Sequence, residues 1–300
     1  MPVRKYLRSA PLMEETDIDM VVSEWSPSDQ LSYRCRRTSR KPAMDGRLAC
    51  PVWQQAEQSP RFVDMISGAP GLYDTRSAAV WDDEALYVGF WVEEPQVAAT
   101  QTTRDSLVFL ENDVEVFIDG GDAYYEFEIN ALGTIYEVFF VWEDAWKKGG
   151  VWDTPEFDVH DHSAILFGGN HDRSAQHFWR GTHPRGLRWA YRHYDLPGLQ
   201  SAVYIDGEIN NPAVIDRGWR VELAFPWAGM KHLAHGRSLP PKAGDEWRIF
   251  FGRFQKLELA GQQVSQPAAW SWGKVGSGDN HIPERFTKII FDDRDVMGNA

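Results

Sequence analysis

The sequence predicts an all-β protein, an antiparallel β-sandwich of jelly-roll-like form with long loops and few short helices. Three observations predict this class: short runs of alternating apolar and polar residues, turn residues between the runs, and little helical periodicity. Alternation with a period of two is the pattern of a half-buried strand, and many short strands joined by turns are typical of sandwiches. The aromatic content, 14 Trp, 10 Tyr and 16 Phe, also indicates an all-β protein, because aromatic residues favour strands.

Individual strands can be placed from residue 75 onward. Residues 75–95 hold two apolar runs separated by an acidic turn, which predicts a hairpin. Residues 113–119 alternate strictly, so the three aliphatic side chains share one face and Glu115 lies on the other. Residues 124–142 continue the meander. Further strands are predicted at 201–209, 218–227, 246–254 and 285–291, a short helix at 228–236, and long loops within 143–200.

We predict one domain, because the sequence shows neither an internal repeat nor a low-complexity linker. Residues 1–33 are predicted to form an N-terminal extension, residues 34–291 the sandwich domain and residues 292–300 a C-terminal tail.

The charge balance narrows the class of partner. The formal net charge is −13 and the calculated pI is about 5.1. Such a chain repels phosphate backbones and anionic lipids, so we expect neither a nucleic acid nor a membrane as partner. A neutral saccharide is not repelled.

Two features bear on the compartment. The first 30 residues contain no apolar segment of signal-peptide length, which predicts a cytoplasmic protein, or a secreted one if the N-terminus is incomplete. Cys35 and Cys50 are too few for a multi-disulfide framework, and whether they pair is left open.

Seven segments, in order, carry a resemblance to a known family: Asp45-Gly46 followed by Trp53, then 80–95, 111–134, 194–212, 216–227, 244–254 and 270–286. Together they resemble the family 9 carbohydrate-binding module over about residues 34–291.

The resemblance implies a β-sandwich that binds a mono- or oligosaccharide or a polysaccharide end without catalysis. It also implies a role in polysaccharide catabolism, with a glycoside hydrolase as partner. In the best-known members, two aromatic side chains clamp a terminal sugar, and calcium ions serve the structure. The first clamp position corresponds to Phe109, the family's sugar-contacting Arg position to Glu128, and the second clamp falls near Asn280 and His281.

Aromatic side chains are the first group of candidate ligand contacts. Rings accept the C–H faces of a sugar, and planar donors or carboxylates bind its hydroxyls. The candidate platforms are Phe109, Trp270 and Trp272, of which the two tryptophans share one face if their segment is a strand. The alternative is that all three belong to the core.

Polar side chains are the second group. If the strands of Glu115 and Glu128 pair, these carboxylates form an acidic row, either beside a pocket or on a solvated sheet face. Arg253 lies among aromatic residues and would need a carboxylate partner, for which Glu115 or Glu128 are candidates. His281 is a further candidate contact.

The sequence also offers candidate ligands for a calcium ion. Asp119 and Asp122 lie at a turn, where carboxylates can hold a hard cation, and ordinary turn chemistry is the alternative.

Three other functions stay open. A glycoside hydrolase could use Glu115 and Glu128 as paired carboxylates. A haem-binding redox sandwich would need an axial ligand such as Met65 or Met230. A protein-interaction sandwich would bind no sugar.

Overall fold

The computed structural model describes residues 25–169, 183–259, 262–264 and 268–298. The strands of the described part are β1 (Ser32–Arg37), β2 (Val63–Asp64), β3 (Thr75–Trp81), β4 (Ala85–Glu93), β5 (Asp113–Asp119), β6 (Ala123–Asn130), β7 (Ile135–Trp142), β8 (Ala164–Phe167), β9 (Arg188–Tyr191), β10 (Gln200–Asp206), β11 (Gly218–Pro226), β12 (Glu246–Gln255), β13 (Glu258–Leu259), β14 (Gln262–Gln263), β15 (Ala268–Ser271) and β16 (Thr287–Asp295).

Helices are short, as the sequence predicts. The described residues hold the α-helix α1 (Pro51–Gln55) and the 3-10 helices Pro27–Asp29, Val108–Leu110, Pro155–Phe157, Trp227–Leu233 and Pro283–Arg285. The helix predicted at 228–236 is therefore a 3-10 helix that begins one residue earlier and ends at Leu233.

Most strands join one continuous path in the order β10-β11-β4-β3-β1-β16-β12-β5-β6-β7-β9-β8, with β15 and β2 branching from β12. The pairing is antiparallel, as predicted, except at β1, which runs parallel to both β3 and β16. No hairpin joins β1 to either neighbour, so turn geometry does not impose the antiparallel direction there.

The path folds over into two layers, which confirms the predicted sandwich. We call β3, β4, β10 and β11 the first layer, and β5, β6, β7 and β12 the second layer. Phe90 of β4 contacts Phe251 of β12 with ring centroids 6.2 Å apart, and Phe225 of β11 contacts Phe127 of β6 at 5.5 Å. Side chains from the inner faces of both layers therefore form one core.

Each layer also has an outer face, which alternate residues of its strands form. On β5, Val114, Val116 and Ile118 point into the core as predicted, so Glu115 and Phe117 point outward. The candidate sites lie on these two outer faces.

A buried carboxylate fastens the segment around α1 to the outer face of the first layer. Glu222 of β11 accepts hydrogen bonds from Asp45 N at 2.9 Å, Gly46 N at 3.1 Å and Trp53 Nε1 at 2.7 Å. Gly46 has φ +73°, and a Cβ there would lie 2.7 Å from the carbonyl carbon of Val203. The Asp-Gly…Trp segment is thus required by the packing at this position.

Residues 1–24 of the predicted N-terminal extension and residues 299–300 of the predicted C-terminal tail lie outside the described residues. Cys35 is buried and Cys50 is half-buried, and both are free thiols. None of the helices in the described ranges has the length and apolar character needed to cross a membrane.

Candidate functional site

The predicted pairing of the two acidic strands is present on the outer face of the second layer. Glu115 of β5 lies directly opposite Glu128 of β6 in the antiparallel register. Their side chains are buried, at 2% and 1% exposure, so the row is not the solvated face that the sequence left open.

A third carboxylate, which the sequence analysis did not single out, joins this pair. Asp113 is fully buried, and one oxygen each of Asp113, Glu115 and Glu128 lies within 4.8 Å of the other two. We call these three residues the acidic trio. Asp113 Oδ1 accepts the backbone N–H of Phe254 at 3.2 Å, and Glu115 Oε2 accepts Asn280 Nδ2 at 2.8 Å.

Burial dominates the electrostatics of the acidic trio. It raises the pKa of Asp113, Glu115 and Glu128 well above the usual range, and neighbouring carboxylates raise each pKa further. Glu126, on the same face of β6, has its pKa raised by burial to about 7. Protonated or cation-bound carboxyl groups are therefore favoured here over free carboxylates.

His281 lies beside the acidic trio and is a buried neutral side chain. Its Nδ1 is 3.0 Å from the hydroxyl of Tyr124, and its ring packs against Phe117 and Phe167 with centroids 5.2 and 4.7 Å away. Burial lowers the pKa of His281 to about 3. With 2% exposure, it holds the covering segment in place.

Phe109 lies at the margin of the same face and is half-buried. Its ring contacts Tyr136 with centroids 5.6 Å apart, and Tyr136 lies opposite Glu128 in the register of β6 and β7. Phe109, Glu115, Glu128 and His281 are thus brought to one region, as the resemblance implies.

Arg253 lies on the other side of the sheet, and its predicted pairing with Glu115 or Glu128 is wrong. It lies opposite Val114 on the core face of β12, with Nη2 3.6 Å from Glu94 Oε2 and Nη1 donating to Thr75 Oγ1 at 2.7 Å. Burial lowers the pKa of Arg253 to about 10. Successive strand residues point to opposite faces, which separates Arg253 from the acidic trio.

Trp270 and Trp272 also belong to the core rather than to a ligand face. They are 4% and 3% exposed. Trp270 packs under the guanidinium of Arg253, 5.0 Å from its ring centroid, and Trp272 contacts Tyr33 and Phe251 with centroids 4.9 and 4.8 Å away. The two rings do share a face, as predicted, but that face is the interior.

Asp119 and Asp122, the predicted calcium ligands, have basic partners instead. Asp122 Oδ1 accepts Arg185 Nη2 at 2.6 Å, and Asp119 Oδ2 is 3.6 Å from Arg248 Nη1. Asp119 Oδ1 accepts the N–H of Gly121. Because guanidinium groups already supply the positive charge, this turn does not offer a calcium ion a free set of oxygens.

A partly exposed aromatic site lies on the outer face of the first layer. Trp91 of β4 is half-buried, and in the strand registers it lies opposite Arg76 of β3 and Arg220 of β11. Arg220 in turn lies opposite Tyr204 of β10, and its guanidinium is 5.7 Å from that ring. Cations and aromatic rings therefore alternate across four strands.

A groove of about 320 Å³ opens over Trp91. We call it the Trp91 groove, and its polar lining side chains are Asp74, Arg76, Glu93, Asp206, Arg217 and Arg220.

The polar side chains of the Trp91 groove are held by backbone groups and by one another: Arg220 Nη1 donates to the carbonyl oxygen of Arg47 at 2.9 Å, and Glu93 Oε2 accepts the N–H of Asp74 at 2.7 Å. Arg76 Nε donates to Asp74 Oδ2 at 3.2 Å, and Asp206 Oδ2 lies 3.7 Å from Arg220 and 3.9 Å from Arg217. Exposed pairs of this kind exchange readily with other hydrogen-bonding groups. Sequence reasoning missed the groove because its members come from four separate strands and meet only through the register.

Comparison with solved structures identifies the fold. A proposed carbohydrate-binding protein from Bacteroides uniformis matches with a TM-score of 0.52 and 15% identity, over 88% of this chain and 100% of that one. Family 9 carbohydrate-binding modules from Caldicellulosiruptor kristjanssonii, solved with cellotriose and with glucose, match with TM-scores of 0.43 and 15% identity, over 88% of this chain and 95% and 97% of theirs. No family model and no curated protein matches the chain.

The predicted resemblance in fold is therefore confirmed. The chain is an all-β sandwich, and 88% of it shares the fold of the whole Bacteroides uniformis protein.

Proposed function

We propose that this protein binds saccharides without catalysis, and that Trp91 is the platform against which a sugar ring stacks. The observation that carries the proposal is the half-buried indole of Trp91 at the floor of an open groove lined by guanidinium and carboxylate groups. The sandwich fold and the resemblance to family 9 carbohydrate-binding modules support it.

The chemistry of the groove suits a neutral saccharide. An indole face accepts the C–H face of a pyranose, and flanking guanidinium and carboxylate groups bind hydroxyls from both sides. Three arginines and three acidic residues line the groove, so neither sign of charge dominates. Its volume of about 320 Å³ is at the small end of ligand pockets, which favours a mono- or oligosaccharide or a polysaccharide end.

Accessibility favours the Trp91 groove over the predicted site in the second layer. At 2% and 1% exposure, Glu115 and Glu128 have almost no surface with which to contact a ligand, whereas the side chains of Arg76 and Arg220 are 40% and 34% exposed. Phe109 remains the ligand contact to test on the second layer. A role beside a glycoside hydrolase in polysaccharide catabolism extends the proposal and has its support in the resemblance alone.

A glycan array that includes glucose and cello-oligosaccharides, followed by calorimetric titration of the best ligand, tests the proposal. We expect Trp91→Ala to weaken binding at least about tenfold, because one stacked ring contributes on the order of 1.4 kcal/mol. Trp25→Ala is the matched control: Trp25 is half-buried like Trp91 and packs against the guanidinium of Arg285, but it lies outside the groove.

Two results would contradict the proposal. If the intact protein binds no saccharide on the array, the function is wrong. If Phe109→Ala abolishes binding and Trp91→Ala leaves it unchanged, the site is on the second layer and the assignment to the Trp91 groove is wrong.

A further inference from the structure

The acidic trio combines three carboxyl groups at close range with almost complete burial. Asp113, Glu115 and Glu128 are 0%, 2% and 1% exposed, and one oxygen of each lies within 4.8 Å of the other two. A buried carboxylate needs a hydrogen-bond donor, a cation or a proton, because an uncompensated charge in the interior is strongly unfavourable.

Hydrogen bonds within the described part of the chain satisfy this need only in part: Asn280 donates to Glu115, and Glu128 shares hydrogen bonds only with the carboxyl groups of Glu115 and Glu126. Asp113 Oδ2 and Glu128 Oε2 are both buried and accept no hydrogen bond there. This contrasts with the nearby Glu111, whose carboxylate accepts from Thr100, Gln101 and Asn130. The fold therefore supplies donors to one buried carboxylate of this region and leaves oxygens of the acidic trio without them.

The basic groups of the described residues around the acidic trio are engaged elsewhere. Arg253 lies on the core face and pairs with Glu94. Arg188, which is fully buried above the second layer, donates to the hydroxyl of Tyr124 at 2.9 Å and to the carbonyl oxygen of His281 at 3.4 Å. His281 has no positive charge to offer, since burial keeps its ring neutral.

Of the remaining charged groups near the acidic trio, Arg192 is hydrogen-bonded to Tyr136, and two others are acidic. Glu126 lies on the same face of β6, and Asp279 lies in the segment that covers that face. Both are buried, so they add to the negative potential at the trio.

We propose that Asp113, Glu115 and Glu128 bind one divalent cation of the calcium class. Carboxylate oxygens around Ca²⁺ lie about 2.3–2.6 Å from the ion, so oxygens on opposite sides of it are separated by roughly 4.6–5.2 Å. The spacing of the acidic trio, within 4.8 Å, fits that arrangement. An all-oxygen donor set suits a hard cation, and none of the three proposed ligands is a thiol or an imidazole, which disfavours zinc.

The ion and the saccharide occupy opposite outer faces of the sandwich in these proposals. Trp91 lies on the outer face of the first layer and the acidic trio on that of the second, with the core between them. The cation site therefore does not rest on the proposed function, and either can fail while the other holds.

The experiment uses the full chain, first as purified and then after treatment with EDTA and removal of the chelator. We expect metal analysis of the purified protein, or titration of the stripped protein with CaCl₂ at pH 7.5, to give one bound ion per chain. The unfolding temperature of the stripped protein should rise by several degrees with CaCl₂ and less with MgCl₂, because Mg²⁺ gives up its water reluctantly. Tb³⁺ should bind at the same site and emit through energy transfer from nearby aromatic rings such as Tyr136.

Two substitutions locate the ion. Glu128→Gln and Asp113→Asn keep the side-chain size and remove one charge each, so both should reduce calcium affinity at least tenfold while the circular dichroism spectrum is unchanged. Asp122→Asn is the matched control, since this carboxylate already pairs with Arg185 and should leave the calcium response intact. If one variant fails to fold, the other and the wild-type titration still decide.

The results separate the alternatives. Absence of bound metal and of any response of unfolding temperature or Tb³⁺ emission would overturn the cation site and leave protons as the neutralising species. Calcium binding that survives both substitutions would place the ion elsewhere and equally overturn the proposal. Saccharide binding that persists in EDTA would leave the Trp91 groove standing whatever the ion does.

Discussion

Buried carboxylates on the two outer faces of the sandwich differ in the hydrogen bonds that they accept. On the first layer, Glu222 is fully buried and accepts three hydrogen bonds from Asp45, Gly46 and Trp53. On the second layer, Asp113 and Glu128 are equally buried, yet each has an oxygen that accepts no hydrogen bond in the described part of the chain.

The difference separates a structural carboxylate from a candidate ligand. A carboxylate surrounded by N–H donors is stabilised by the fold itself and holds a segment in place. A carboxylate without donors raises the free energy of the folded state until a proton or a cation reaches it. Burial of an acidic residue alone therefore does not reveal its role. The number of hydrogen-bond donors around its carboxylate distinguishes a structural residue from a candidate ligand.

Removal of Glu222 should have the largest effect on stability. Glu222→Ala leaves three donors without their partner and opens a cavity under α1, so we expect the free energy of unfolding to fall by about 4 kcal/mol. Urea denaturation monitored by tryptophan fluorescence measures this. Glu143→Ala, at an exposed position just after β7, is the control and should change stability little. A loss below about 1 kcal/mol for Glu222→Ala would show that its hydrogen bonds do not anchor the segment.

The second prediction concerns pH and the second layer. Burial raises the pKa of Glu126 from 4.5 to about 7, so the folded state keeps a proton that the unfolded state releases. The free energy of unfolding in EDTA should therefore fall as pH rises from about 4.5 to about 7, by roughly 3 kcal/mol for a shift of about 2.5 units. Urea denaturation at pH 5 and pH 8 checks the sign, and a chain that is more stable at pH 8 in EDTA would contradict it.

The same substitution should have opposite signs on the two faces. Glu128→Gln removes a charge that lies among other buried carboxyl groups and whose Oε2 accepts no hydrogen bond in the described part of the chain, so at pH 8 in EDTA we expect a gain of about 1–2 kcal/mol. Glu222→Gln replaces an acceptor of three N–H groups by an amide whose NH₂ faces some of them, so we expect a loss of about 1–3 kcal/mol. Urea denaturation of both variants in one buffer measures the two changes in the free energy of unfolding. If both changes have the same sign, the proposed difference between the two faces is wrong.

The fold and part of the acidic region could be predicted from the sequence because they depend on local patterns. Strict alternation along residues 113–119 places Glu115 on the outer face, and the short turn to β6 sets it opposite Glu128. The direction of β1 could not be predicted, because no turn joins it to β3 or β16.

Three residues that were predicted to contact a ligand lie in the core instead, because their side chains point to the inner face of the sheet. Arg253 and Trp270 lie on the core face of β12 and β15, and Trp272 follows β15 into the same core. A strand buried on both faces carries aromatic residues on each, so composition does not reveal which face is inside. Asp113 was overlooked because only the three-dimensional register shows its distance from Glu128.

The smallest effect on stability is expected in the Trp91 groove. Arg76→Ala removes an exposed pair with Asp74, and such pairs contribute little to folding, so we expect a change below about 0.5 kcal/mol in the free energy of unfolding. The same variant should weaken saccharide binding several-fold, because Arg76 lies directly opposite Trp91. Its guanidinium can bind a sugar hydroxyl when its hydrogen bond to Asp74 breaks. Denaturation and calorimetric titration of one preparation measure both quantities. A large loss of stability with unchanged affinity would assign Arg76 to the fold and make the groove a structural surface like the one around Glu222.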